Sequence, residues 1–290
     1  MEVSLIFTST TEHLLDNLKK KAQKGLEFVL SEKNKEGQRF FPDGEIYMRI
    51  PQVKKLKGKR VIVLHSGAPN PHDGLMELKL MLHILKDHGV RPELFFTYFP
   101  YGQQDHVFRH GEGNIAESLI KKFLHYYGVK KIYAIDPHFG KMPWAKKYPI
   151  IHISATQILL EQVKKDFGHD ILFLSPDKGG KRRTGISGLK KKRKDSFDVE
   201  IFSPDLKIEG KTVAVIDDLL ETGGTLARFH ETAIRSGAKE TVALITHGVL
   251  DSGIKRVKEK FSKLYLTNSI NKKEANVDIA DLLVDAFDLK

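Results

Sequence analysis

The most informative absence in this 290-residue chain is cysteine, of which there is none. Without cysteine the chain can form no disulfide, no zinc–thiolate site and no thiol nucleophile, and it suits a reducing compartment. Its apolar runs are much shorter than the roughly 20 residues that span a membrane, and its first residues lack the pattern of a secretory signal. We therefore expect a cytoplasmic protein with no membrane partner.

Acidic residues are absent from 178–194, where nine basic residues contribute much of the net charge of +11. Such a run is most often a solvated loop, and nucleic-acid binding or a clamp for a phosphorylated small molecule are the functional alternatives. Aromatic residues, on which unpaired bases stack, are missing from the run. We therefore expect no nucleic-acid partner.

Apolar runs of strand length alternate with amphipathic segments along the whole chain. The predicted strands cover 3–7, 60–66, 94–99, 131–136, 170–175, 212–218, 241–247 and 263–268. The predicted helices cover 74–89, 114–128, 156–168, 225–237 and 276–287. This alternation indicates an α/β protein with mainly parallel sheets.

A short internal repeat suggests two similar domains. The sequence GKRVIVL at 58–64 matches GKTVAVI at 210–216, and each copy continues through a loop and a helix to a glycine and another strand. Chance similarity of two strand–helix–strand units is the alternative to duplication. We expect domains at 1–150 and 151–290, with the last helix packing on the first domain.

The segment 213–226, VAVIDDLLETGGTL, combines a predicted buried strand, paired carboxylates and a glycine pair. Ligands of open parallel sheets bind beyond the carboxyl ends of the strands. There, Asp217 and Asp218 suit a sugar diol or a cation, while the glycines before a helix expose backbone N–H groups to a phosphate. The pattern therefore predicts a ribose 5-phosphate site, with a capped turn as the simpler alternative.

The string VIDDLLETGGT resembles the phosphoribosyl diphosphate loop of the type I phosphoribosyltransferase fold. Further segments resemble, in order, those of the ribose-phosphate diphosphokinase family. They are FFPDGEIYMRI (40–50), YFPYGQQDH (98–106), IDPH (135–138), LSPDKGG (174–180), KKRKDSFDVEI (191–201) and YLTNSI (265–270). The resemblance implies two phosphoribosyltransferase-like domains, each a mainly parallel sheet flanked by helices, with a degenerate site in the first.

The resemblance also implies a reaction and its residues. The family transfers the β,γ-diphosphoryl group of MgATP to the 1-hydroxyl of ribose 5-phosphate, leaving AMP, in a homodimer or larger assembly that shares active sites between subunits. The implied catalytic residues are Lys191 and Arg193, and the implied Mg²⁺ ligands are Asp136, His138 and Asp177. The implied ATP-binding residues are Phe41, Asp43 and Glu45 of a neighbouring subunit with Gln103, Gln104, Asp105 and His138. The implied ribose 5-phosphate-binding residues are Asp217, Asp218, Glu221, Thr222, Gly223, Gly224 and Thr225.

Three departures from the family pattern leave alternatives open. Gln103 replaces an arginine, which removes a positive charge from the ATP site, and His106 replaces a lysine or arginine. Only 181–190 separates SPDKGG from KKR, about half the usual spacing, and Glu221 replaces a shorter side chain. A noncatalytic regulatory member of the family and a phosphoribosyltransferase therefore remain as alternative functions.

Overall fold

The computed structural model describes residues 2–21, 25–168, 171–175, 191–193, 199–201 and 208–287. The chain divides into two compact units, each with its own sheet. The first unit comprises Met1–Ile153, Ser269–Asn271 and Ala280–Lys290. The second comprises Ser154–Asn268 and Lys272–Ile279. In the described part of the chain, no helix combines the length and apolar character that a membrane crossing requires.

The first unit is built on a six-stranded parallel sheet with the strand order β2-β1-β3-β4-β5-β6. Its strands are β1 (Val3–Phe7), β2 (Leu26–Leu30), β3 (Arg60–Ser66), β4 (Glu93–Tyr98), β5 (Ile132–Ile135) and β6 (Ile150–Ile153). Its helices are α1 (Leu15–Lys21), α2 (Pro71–Asp87) and α3 (Ile115–Lys121), with a π-helical turn at Lys122–Tyr126. Short 3₁₀ turns cover Ser9–Leu14, Val53–Leu56, His138–Lys141 and Pro143–Lys147.

Apolar residues on both faces explain why the central strands of this sheet are buried. In β3 every residue after Arg60 is buried, which is typical of a parallel strand covered on both sides. On one face, α2 contributes Leu78, Met81 and Leu85 to the core, at the spacing of one side of a helix. The carboxyl ends of β1, β3, β4 and β5 consequently lie at one edge of a rigid layer.

The last helix, α7 (Ala280–Ala286), belongs to the first unit although it ends the described chain. The ring of Phe287, which is 1% exposed, lies edge-on to Phe95 at 5.2 Å and to Tyr133 at 5.1 Å. Arg60 donates to the Phe287 carbonyl oxygen at 2.9 Å. These contacts hold the helix against the six-stranded sheet.

The second unit is built on a four-stranded parallel sheet with the order β12-β11-β10-β7 and a separate antiparallel pair, β8-β9. Its strands are β7 (Ile171–Leu174), β8 (Lys191–Arg193), β9 (Val199–Ile201), β10 (Thr212–Leu220), β11 (Glu240–Gly248) and β12 (Lys263–Leu266). Its helices are α4 (Thr156–Phe167), α5 (Gly224–Arg235) and α6 (Asp251–Lys260). Two apolar clusters, one including Phe229 and the other including Tyr265, form its core.

The predicted fold class, two mainly parallel sheets flanked by helices, is confirmed. The eight predicted strands are present with ends shifted by at most two residues, whereas β2, β6, β8, β9, α1 and α6 were not predicted. The strand predicted to stop at Asp218 continues to Leu220, because Leu219 and Leu220 pair with His247 and Gly248 of β11. The predicted helix at 114–128 changes to a π-helical turn at Lys122.

Candidate active site

Beyond β4 and β5 of the first unit, a buried carboxylate binds two imidazoles. The Asp105 side chain is 3% exposed, and its two oxygens lie 3.0 Å from Nδ1 of His138 and 2.6 Å from Nδ1 of His106. The indole N–H of Trp144 donates to the Asp105 carbonyl oxygen at 2.8 Å. With the proton of His138 on Nδ1, its Nε2 keeps a lone pair, and the ring is 36% exposed.

Asp136 lies at the end of β5 in a strained backbone conformation. Its φ angle is +33°, a region that residues other than glycine seldom occupy, and its N–H donates to the carbonyl oxygen of Ile153 at 2.9 Å. The negative charge of the Asp136 carboxylate also affects the pKa of His152, in the neighbouring strand β6. Burial lowers the pKa of His152, and the negative charge of Asp136 opposes this effect. His152 is therefore a polar residue at this edge that the sequence analysis did not identify.

Residues 39–47 form a β-hairpin whose tip is exposed. Phe40 pairs with Ile46, and the Phe41 N–H donates to the Glu45 carbonyl oxygen at 2.8 Å. At the tip the Asp43 carboxylate accepts from the Glu45 N–H at 3.1 Å, and Gly44 has a φ of +91°, which suits glycine. Phe41 is 43% exposed, so its ring is presented to solvent.

In the second unit, β10 carries two buried carboxylates near its end and is followed by the loop 221–223. Asp217 is 8% exposed and Asp218 is 4% exposed, and Oδ1 of Asp217 accepts from the Asp218 N–H at 3.1 Å. Gly223 has a φ of +72°, the left-handed region in which glycine is unstrained. Helix α5 begins at Gly224, so the N–H groups of its first turn have no partner inside the helix and favour an anion.

The loop 221–223 is held in place by contacts with α6. Arg256 donates to the Thr222 carbonyl oxygen at 2.7 Å. The Val249 N–H donates to the carbonyl oxygen of Leu220, the residue before the loop, at 2.8 Å. A Cβ on Gly253 would lie 1.8 Å from the Glu221 carbonyl oxygen, so only glycine permits this close approach. These contacts hold the loop 221–223 against α6. Gly253 and Arg256 lie outside the recognised motif, in a helix that the sequence analysis did not predict.

The corresponding loop of the first unit is built differently. After β3, the chain contains Pro69 and Pro71, which have no N–H to offer to a phosphate, and α2 begins at Pro71. His65 and Ser66 stand at the positions equivalent to the paired carboxylates. This loop therefore lacks the donors and acids found in the second unit.

Comparison with known proteins identifies the family. Residues 6–128 match the family model described as the N-terminal domain of ribose phosphate pyrophosphokinase. The ribose-phosphate pyrophosphokinase of Burkholderia pseudomallei is 32% identical over 223 residues, which is 73% of this chain and 70% of that protein. This chain belongs to the ribose-phosphate pyrophosphokinase family. The Thermococcus kodakarensis member is 28% identical over 284 residues, which is 94% of this chain and 96% of that one.

A solved structure supports the same fold for this family member. The crystal structure of phosphoribosylpyrophosphate synthetase from Mycobacterium smegmatis has a TM-score of 0.83 and 23% identity, covering 99% of this chain and 98% of that one. The predicted family is therefore confirmed by sequence relatives, and its fold by a structural neighbour.

The structure of this pyrophosphokinase family member groups some predicted residues and leaves others apart. Asp105 and His138 are in contact, with Gln103 and Gln104 in the exposed turn before Asp105. Phe41, Asp43 and Glu45 share the hairpin tip of the same unit. Lys191 and Arg193 lie in β8 of the second unit, and Asp177 and the shortened segment 181–190 lie outside the described residues. The individual roles of these residues remain predictions.

Two of the three predicted Mg²⁺ ligands, Asp136 and His138, lie within the described residues, and their role as ligands remains a prediction. His138 presents an imidazole whose orientation is set by a buried carboxylate, as is usual for metal-ligating histidines, and Asp136 directly follows β5, two residues before His138. Within the described ranges, no three histidine or acidic side chains converge to hold an ion. The third predicted ligand, Asp177, lies outside the described residues.

Proposed function

We propose that this chain transfers the β,γ-diphosphoryl group of ATP to the 1-hydroxyl of ribose 5-phosphate. The 1-oxygen attacks the β-phosphorus and loses its proton, while the bond from that phosphorus to the α,β-bridging oxygen breaks and AMP leaves. The observation that carries the proposal is the loop 221–223, which joins the buried Asp217–Asp218 pair to the start of α5 in a member of this family.

The ribose 5-phosphate would bind in the second unit. Its 5-phosphate would accept from the N–H groups of 223–225 and from the hydroxyls of Thr222 and Thr225, where the positive end of α5 favours an anion. Asp217 and Asp218 would accept hydrogen bonds from the 2- and 3-hydroxyls, with Glu221 beside the cradle. This arrangement would fix the 1-hydroxyl for attack, and positioning is a large part of catalysis in phosphoryl transfer.

The nucleotide would bind at the carboxyl edge of the first sheet. His138 would contact a phosphate oxygen or an ion through Nε2, with Asp105 holding the ring and therefore acting through His138. Gln103 and Gln104 would add neutral hydrogen bonds, and Phe41, Asp43 and Glu45 of a second copy would contact the base. Asp136, His138 and Asp177 would hold Mg²⁺, which supplies charge neutralisation for the transferred phosphates.

Lys191 and Arg193 would stabilise negative charge on the transferred group in the transition state. Replacing Lys191 with alanine should then lower kcat by about 10²–10³-fold while changing ribose 5-phosphate affinity much less. Calorimetric titration of ribose 5-phosphate beside steady-state kinetics separates the two quantities. Equal losses in both would assign Lys191 to substrate binding instead.

The activity is tested by incubating the protein with Mg²⁺, ATP and ribose 5-phosphate and recording phosphorus NMR spectra. AMP and a sugar-linked diphosphate formed in equal amounts would establish the reaction. ADP as the product would mean transfer of a single phosphoryl group and would contradict the proposal. Absence of turnover with ATP, GTP, CTP and ADP would favour the noncatalytic alternative, with Gln103 as the first residue to revert to arginine.

A further inference from the structure

The hairpin 39–47 is weakly supported by packing. A cavity of about 360 Å³ lies between the hairpin and the rest of the first unit, bordered by Thr10, Phe40, Tyr47 and Asn70 among others. This space is open to solvent and not filled by side chains, so packing does little to fix the angle at which the hairpin projects. Another interaction must therefore set the position of Phe41, Asp43 and Glu45.

Arg39, at the base of the hairpin, provides that interaction. Its carbonyl oxygen accepts from the Tyr47 N–H at 2.8 Å, which places the residue inside the stem. Its guanidinium donates to Oε1 of Glu12 and, at 3.0 Å, to Oγ of Ser31, and the side chain is 23% exposed. One planar group thus connects the hairpin to the 3₁₀ turn after β1 and to the end of β2.

The same guanidinium faces a second, buried carboxylate. Oε1 of Glu77 in α2 lies 3.9 Å from Nη1 of Arg39, and Glu77 is 5% exposed. Glu77 is itself fixed, because its oxygens accept from the Ser9 N–H at 2.9 Å and from the Ser9 hydroxyl at 2.6 Å. Burial raises the pKa of Glu77, whereas Ser9 and the charge of Arg39 lower it. Arg39 therefore lies between two carboxylates that belong to the rigid part of the unit.

We propose that Arg39 is a positioning residue that orients the hairpin tip toward the nucleotide by binding Glu12, Ser31 and Glu77. The role in nucleotide binding rests on the function proposed above, whereas the effect on the hairpin itself does not. Loss of the guanidinium would let the stem hydrogen bonds open more often and would release the tip over the cavity. The tip would then contact the nucleotide for a smaller fraction of the time.

The test compares Arg39→Met with Arg49→Met in the full-length protein. Methionine keeps the aliphatic stem and removes the charge. Arg49 is the matched control because it pairs with Glu32 beside the same hairpin stem, but its side chain is 58% exposed and faces no buried carboxylate in the described contacts. We expect Arg39→Met to raise the KM for ATP on the order of tenfold and Arg49→Met to change it by less than about twofold.

Two further measurements distinguish loss of hairpin positioning from general destabilisation of the protein. The KM for ribose 5-phosphate should stay within about twofold in both variants, and Arg39→Lys should give an intermediate KM for ATP, because it keeps the charge but loses the fork of donors. If Arg39→Met fails to fold, Glu12→Gln at a partly exposed site weakens the same contact. Identical KM values for ATP in the Arg39 and Arg49 variants would overturn the proposal.

Hydrogen exchange tests the hairpin independently of the reaction. The amides of Phe41 and Tyr47, which are bonded across the stem, should exchange faster in Arg39→Met and Glu12→Gln than in Arg49→Met. Unchanged exchange rates of these amides in Arg39→Met and Glu12→Gln would contradict the proposal that Arg39 holds the hairpin in place. If the wild-type protein formed no phosphoribosyl diphosphate, the proposed reaction would fail, and these exchange rates alone would decide whether Arg39 positions the hairpin.

Discussion

At the scale of single residues, the structure assigns importance to groups that the sequence analysis did not single out. His65 is an example: it is 1% exposed at the end of β3, its Nδ1 lies 3.1 Å from Oγ1 of Thr8, and its ring lies edge-on to Phe96. Its Nε2 has no hydrogen-bond partner among the described residues. Burial lowers the pKa of His65 from 6.5 to about 3, so the folded protein keeps this imidazole neutral.

This burial predicts acid sensitivity. Between about pH 6.5 and pH 3 the unfolded chain binds a proton at His65 that the folded chain excludes, so stability falls as the pH falls, by roughly 1.4 kcal/mol per pH unit from this group. We expect His65→Gln to flatten the dependence of unfolding free energy on pH, measured by urea denaturation from about pH 6.5 to 5. The exposed control His110→Gln should keep the wild-type slope, and a wild-type slope in His65→Gln would contradict the assignment.

Gly253 allows a second prediction at this scale. In Gly253→Ala the new Cβ would overlap the Glu221 carbonyl oxygen, which is 1.8 Å away, so the loop 221–223 must move. We expect ribose 5-phosphate affinity, measured by calorimetry, to fall by more than about tenfold. Gly113→Ala is the matched control, because its Cβ would meet only the flexible end of Ile115 at 3.3 Å. Unchanged affinity in Gly253→Ala would show that the loop does not form the cradle.

At the scale of elements, α7 shows that the chain end completes the core of the first unit. Lys21 of α1 pairs with Asp281 of α7 at 2.6 Å, but this pair is partly exposed and contributes little. The larger contribution is the burial of Phe287 among Phe95, Tyr133 and the guanidinium of Arg60. The helix is short, so packing and not helix propensity maintains it.

Truncation of that ring should therefore destabilise the first unit. We expect Phe287→Ala to lower the free energy of unfolding by about 3–5 kcal/mol, as is usual for a buried phenylalanine. Phe108→Ala is the control, because Phe108 is 69% exposed and its removal should change stability by less than about 0.5 kcal/mol. Guanidinium denaturation followed by circular dichroism measures both, and similar values for the two variants would rule out a structural role for Phe287.

At the scale of the whole molecule, we predict that each active site is shared between two copies of the chain. Phe41, Asp43 and Glu45 stand together on an exposed tip of the first unit, and Lys191 belongs to the second unit. A hairpin that completes the nucleotide site of a neighbouring copy makes each active site a composite of two chains. Such a site can be rebuilt from two differently damaged copies.

Complementation tests this composite site. Phe41→Ala/Glu45→Ala and Lys191→Ala should each be nearly inactive alone, but subunits mixed under exchange conditions should recover activity. In a mixed dimer one site contains an intact hairpin and an intact Lys191, so random pairing should give about a quarter of the wild-type rate. Failure to recover activity, in mixtures shown by native mass spectrometry to contain hybrids, would mean that the hairpin serves its own chain.

The sequence alone determined those features of the protein that depend on residues close together in the chain. The alternation of apolar runs and amphipathic segments determined the fold class, and the strand–carboxylate–glycine string indicated the loop 221–223 because strand, turn and helix start are specified by local residue types. Strand β2 and helix α6 escaped prediction because mixed polar patterns identify such elements poorly. Tertiary structure decided which distant residues support the site: Arg39 with Glu77, Asp105 with His138, and Gly253 with Glu221. Strand order and helix packing bring each of these pairs together across sequence separations of 32 to 38 residues, a juxtaposition that no local pattern encodes.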